Sequence, residues 1–108
     1  LKVVVHHIVL FKLRPDLPAD RVEEMMAKTR AQLLKIPVVL GVKCGKRIEA
    51  GNPYEFFLSV DVESMDKLAI YREDPVHIKF VEEVIKPNTS ERLAYDFEME
   101  PGKDVRYS

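Results

Sequence analysis

Tyr71 and His77 bracket the stretch "YREDPVH", and His6 and His7 stand side by side near the start of the chain. These side chains suit proton movement near neutral pH. Histidine serves as base or acid, and a tyrosine hydroxyl polarises a carbonyl or holds an enolate. Tyr71, His77 and one strand histidine, brought to a single substrate carbon, could cyclise or isomerise an enolisable ketone without a cofactor. The competing structural reading makes the same stretch a helix-to-helix corner. Asp74 is a good N-cap, Pro75 suits the first helical position, and His77 would bond to nearby backbone or carboxylate. Three histidines and one cysteine contain no close-spaced ligand pair, so no metal and no cofactor is expected.

The elements that must position these residues follow from periodicity. Residues 2 to 13 alternate, with Val3, Val5, His7, Val9 and Phe11 on one face and Val4, His6, Ile8 and Leu10 on the other. Consecutive strand residues point to opposite faces, so His6 and His7 cannot share a site. His7 is the one expected to meet the helices and His77, and His6 to face a partner chain. "RPDLP" breaks the strand. A helix is predicted from about 19 to 35 on Val22, Met25, Met26, Thr29, Leu33 and Leu34, with Asp20 and Glu23 as a capping box.

A second strand is read over 38 to 49, with Leu40, Val42, Cys44 and Ile48 inward, and Gly41 and Gly45 mark a bulge or a close backbone approach. "AGNP" turns the chain into a returning strand over 54 to 62. Ser64 caps a short helix carrying Met65, Leu68 and Ala69, and Asp74-Pro75 restarts a second one carrying Ile78, Val81, Val84 and Ile85. Residues 92 to 100 form the last strand, with Leu93, Tyr95, Phe97 and Met99 on one face as a core stripe. Residues 1 to 100 make one domain and 101 to 108 a tail without period.

Strand, helix, strand, strand, split helix, strand is the ferredoxin-like split βαβ order of the α+β class, with a four-stranded antiparallel sheet. Apolar residues on both faces of several strands require the bare face to be covered, most economically by a second copy of the chain. Phe11, Phe56, Cys44 and Met26 are the candidate lining of a small apolar pocket for an aromatic or apolar ligand. Cys44 by itself is read as a buried hydrophobe rather than a reactive thiol.

Composition excludes other classes. A net charge of -1 from 17 basic and 18 acidic residues leaves no basic stripe for nucleic acid. No apolar run approaches the roughly 20 residues of a membrane span. A single cysteine makes a reducing, cytoplasmic setting the expectation. The chain starts at Leu1 rather than Met, which leaves a preceding segment open.

Four segments, "HHIVLFKL", "GVKCGKRI", "SMDKLAIYREDPVHIKFVEEVIKP" and "RLAYDFE", together resemble the Dabb family of stress-responsive dimeric α/β-barrel domains, from about residue 5 to 98. The most specific element is "DPVHIKFV". The resemblance implies a homodimer in which two sheets share a barrel with helices outside. The family includes stress-stable plant proteins, bacterial members of unknown role and a plant polyketide cyclase. In that cyclase a tyrosine and a histidine of the corresponding helical segment, with a first-strand histidine, line a pocket, and Tyr71, His77 and His7 match those positions. A further pocket histidine of the cyclase falls where this chain has Phe56, so the pocket implied here is more apolar. Two functions are therefore expected to compete. One is a stable stress-responsive dimer with a small ligand cavity. The other is a cofactor-independent cyclase-like enzyme with His77 as base, Tyr71 as orienting hydroxyl and His7 as support.

Overall fold

The computed structural model describes residues 3–100. Strand β1 (Val4–Leu13) is followed by helix α1 (Arg21–Leu33), strands β2 (Gly41–Lys46) and β3 (Phe56–Val62), helices α2 (Met65–Glu73) and α3 (Pro75–Phe80), a π-helical turn (Val81–Ile85) and strand β4 (Thr89–Met99). The sheet is antiparallel in the order β2-β3-β1-β4, which is the ferredoxin-like arrangement.

Alternation along β1 sorts the two faces. Val5, His7, Val9, Phe11 and Leu13 are buried, while every intervening residue is only half-covered. The buried set meets Phe56, Leu58, Val60 and Val62 of β3 together with Met25, Leu33, Leu68, Tyr71, Phe80 and Val84 from the helical segments, so one core lies on one face of the sheet. The opposite face carries Ile8, Leu10 and Phe57 half-covered, and Leu93, Tyr95 and Phe97 at 38%, 52% and 57% exposure. The β4 stripe expected in the core is therefore a surface stripe on the open face, because β4 pairs with β1 in the register that turns Leu93, Tyr95 and Phe97 away from the helices.

Local chemistry accounts for the element ends. Ser64 accepts the Lys67 N–H at 3.2 Å and starts α2, and Asp74 accepts the Val76 N–H at 2.8 Å, with Pro75 in the first position of α3. The expected Asp20–Glu23 box does not form. Asp20 already has helical dihedrals (φ -81°, ψ -9°), which point its side chain away from the cap geometry, and Glu23 pairs with Lys46 instead.

Strand β2 is shorter than expected. Arg47 donates to the Ala50 and Asn52 carbonyls, which folds the chain into a loop and leaves Ile48 99% exposed at its tip, while Leu40 precedes the strand and is largely exposed. Of the two glycines, Gly45 marks the close approach, since a Cβ there would lie 2.7 Å from the Phe57 ring. No bulge interrupts β2 against β3, and the register shift falls between Lys12 and Leu13 of β1 against β4. Ile78, expected on an inner helix face, is exposed and Phe80 is buried in its place. The π-helical turn, in which Lys86 N–H bonds to Val81 C=O at 2.9 Å, offsets the ordinary helical spacing. The tail expected at 101 to 108 lies outside the described residues.

Candidate functional site

Register places His7 in the middle of the covered face, opposite Val60 on β3 and Asp96 on β4. Its Nδ1 lies 2.6 Å from Asp96 Oδ1, and the ring is almost fully buried. A carboxylate can only accept here, so Nδ1 carries a proton and the ring is fixed with Nε2 on its far side.

The α2–α3 corner supplies the other two groups. Asp74 is extended (φ -63°, ψ 132°), which ends α2, and Pro75 starts α3 in a new direction. His77, in the first turn of α3, donates Nδ1–H to the Arg72 carbonyl at 3.0 Å, so in the neutral ring Nε2 carries the lone pair. Tyr71, buried at 2% exposure, lies between the imidazoles. Its ring centroid is 4.4 Å from His77 and 6.3 Å from His7. His7, Tyr71 and His77 thus form a row of three rings along one wall of a cavity of about 470 Å³.

The cavity is floored by Val9, Phe11, Leu58, Phe80, Val81 and Ile85, and Arg72, Lys86 and Arg92 stand along its edge. Its size lies within the range of small-molecule pockets. Burial pushes the Tyr71 phenol well above the usual tyrosine range, so it stays protonated and keeps an O–H to donate. Burial also holds His77 below 6.5, and the charges of His7, Arg72 and Arg92 add to this against the raising effect of the Arg72 carbonyl bond. A neutral imidazole with an open lone pair beside a protonated phenol can accept a proton and polarise a carbonyl, without a metal.

The three residues expected to converge, His7, Tyr71 and His77, are brought together, and Phe11 lines their cavity. The other expected lining residues stand elsewhere. Phe56 lies behind Phe11 (ring centroids 5.9 Å) and borders a separate depression beside the Arg47–Asn52 loop. Cys44 and Met26 face each other between β2 and α1, with Cys44 Sγ 3.5 Å from the Met26 carbonyl and 3.6 Å from an Arg30 nitrogen. Burial raises the Cys44 thiol above its ordinary value, which keeps it from acting as a thiolate. The sheet order explains the separation. Cys44 shares a face of the sheet with His7, but β2 is the edge strand opposite β4, and the cavity opens on the β4 side. Asp96 and Arg92 belong to the site and are not among the residues expected from sequence. The signal was the alternation of β4, which places both on the face opposite Leu93, Tyr95 and Phe97. Among the described residues, no three His, Cys, Asp or Glu side chains are grouped to hold a metal ion, and no helix is long and apolar enough to cross a membrane.

Topology and site together define a ferredoxin-like α+β domain with a cavity between its sheet and the split helix. Residues 5–99 match the stress-responsive A/B barrel domain, Dabb, and the chain belongs to that family. It is 28% identical over 96 residues to a stress-response A/B barrel domain-containing protein of Arabidopsis thaliana. That match covers 87% of this chain and 36% of the plant protein, so the chain spans about a third of its curated relative's length. A dimeric ferredoxin-like protein of unknown function from Thermobifida fusca superposes with a TM-score of 0.79 at 25% identity, covering 91% of this chain and 92% of that one. A dimeric protein of unknown function with a ferredoxin-like fold from Bacteroides fragilis gives 0.73 at 26% identity, covering 89% and 96%.

Proposed function

We propose that this Dabb domain works as a homodimer joined through the open face of its sheet, and that each protomer keeps a cavity for a small apolar or aromatic ligand beneath its split helix. The observation that carries the reading is the open face itself. Leu93, Tyr95 and Phe97 stand exposed in a row, with Ile8, Leu10 and Phe57 beside them. A sheet face of that kind calls for a cover, and a second copy presents the same surface to itself. The dimeric state of the Thermobifida and Bacteroides relatives supports it. Light scattering on the protein at micromolar concentration tests it: the expected mass is twice that of the 12.5 kDa chain, and a monomer would overturn the reading. One cysteine per chain supports a reducing, cytoplasmic setting.

The row of His7, Tyr71 and His77 favours a second reading, in which the cavity performs cofactor-independent proton transfer on an enolisable ketone. His77 Nε2 is the base, Tyr71 orients the carbonyl through its hydroxyl, and His7, held by Asp96, supports the developing charge. Thermal-shift screening against aromatic ketones, on the wild type and His77→Ala, tests it. A ketone-induced rise in melting temperature that disappears in the variant is expected. A rise that survives unchanged removes His77 from the site.

A further inference from the structure

Three cations stand at the edge of the cavity, and two of them are occupied. Lys86 Nζ bonds Glu82 at 2.6 Å. Arg72 lies 4.0 Å from Asp96, whose other oxygen is held by His7. Arg92 differs. It shares the helix-facing side of β4 with Asp96, stands in register with Phe11, and has no carboxylate within salt-bridge distance among the described residues. The acid at the cavity wall, Glu91, is bonded to Lys12 at 3.1 Å. An apolar floor therefore ends at a guanidinium with no carboxylate partner among the described residues, and the carboxylate deeper in, Asp96, is already bonded to His7.

We infer that the ligand of this cavity is an amphipathic monocarboxylic acid, its aromatic or short alkyl body on Phe11, Leu58 and Phe80 and its carboxylate on Arg92. The inference deepens the ligand-cavity reading above and rests on it. The planar fork of a guanidinium matches a carboxylate through two parallel hydrogen bonds, and beside an apolar wall the pair is screened less than in open water. A neutral ligand would leave Arg92 solvated and gain nothing from it. A dianion would place a second charge against the apolar floor or on Arg72 or Lys86, which are already paired with Asp96 and Glu82. The depressed pKa of His77 is consistent with this field, since Arg72 and Arg92 both contribute to it. A bound carboxylate would offset that field, so occupation should raise the His77 pKa.

Calorimetric and NMR titration of the intact protein with hydrocinnamate, phenylbutyrate and hexanoate, each against its primary amide, tests the assignment on wild type, Arg92→Gln and Arg92→Lys. Arg92 is exposed, so both variants are expected to fold. At least one acid should bind wild type about tenfold or more tightly than its amide, since one well-paired charged hydrogen bond suffices for that factor. Arg92→Gln should erase the preference while leaving amide binding unchanged, and Arg92→Lys should restore part of it. The His77 pKa should rise with acid bound and stay put with amide bound. Equal binding of acids and amides, or a preference that survives Arg92→Gln, overturns the carboxylate assignment and leaves the apolar cavity intact. Silence from every acid and every amide on wild type overturns both.

Discussion

His6 and His7 are neighbours in sequence, and each is paired through Nδ1 with an aspartate directly across the sheet, yet they sit in different environments. His6 reaches Asp61 of β3 at 2.7 Å on the open face, and both side chains stay about a quarter exposed. His7 reaches Asp96 of β4 at 2.6 Å on the covered face, with its own side chain only 7% exposed. One geometry thus occurs twice, back to back, through the period-two alternation of a single strand. Only the covered copy has a second imidazole and a phenol beside it. A His–Asp pair alone therefore does not make a site. What it contributes is set by the other elements that converge on its face.

The open side should fail first when its apolar stripe is charged. Replacing Tyr95 and Phe97 together by aspartate removes two aromatic anchors, each worth about 2 kcal/mol or more at the centre of an interface. Light scattering should then report monomers, while the circular dichroism of the protomer is unchanged. A dimer that persists would place the interface elsewhere. A matched pair of substitutions compares the two histidines directly. Asp96→Asn weakens a charge-assisted bond to a buried ring and should lower stability in urea unfolding by about 1.5–2 kcal/mol. Asp61→Asn, at a wetter site, should cost the isolated protomer about 0.5 kcal/mol. Comparing both in the Tyr95→Asp/Phe97→Asp background separates protomer stability from assembly, and equal losses there would erase the distinction between the faces.

The smallest expected effect is in pH. His77 titrates below 6.5 in the folded protein because burial disfavours its charged form, so the unfolded chain binds the extra proton first on acidification. Its contribution to stability is present above 6.5, falls as the pH drops through the folded value, and levels off once both states are protonated. His77→Gln should flatten that part of the stability–pH curve. An unchanged slope would mean that the ring is as well solvated folded as unfolded.

Much of this was legible in the residues. Alternation in β1 separates His6 from His7, and Asp74-Pro75 marks the corner that carries Tyr71 and His77 to one place. The partner of His7 was not legible in the same way, because Asp96 lies 89 residues away and only the β1–β4 register makes them neighbours. Cys44 and Met26 mark a different limit. Periodicity tells which face a side chain takes, but not which strands lie side by side, and the sheet order puts β2 far from the cavity. Tyr95 and Phe97 show a third limit. An apolar stripe looks the same in sequence whether its cover comes from its own chain or from another.

The π-helical turn at Val81–Ile85 has a consequence for how such a cavity can vary. A turn of this kind amounts to one residue inserted into a helix that has absorbed it. Deleting a residue there would return the segment to α geometry with the residues beyond it still facing the same way. One part of the cavity wall would lose a residue while Tyr71, His77 and the strands stayed in place. The sheet has no such freedom, since a one-residue slip in β1 would exchange His7 with His6. Evolution can therefore resize this pocket by changing chain length at one wall, on a frame that tolerates no length change at the other.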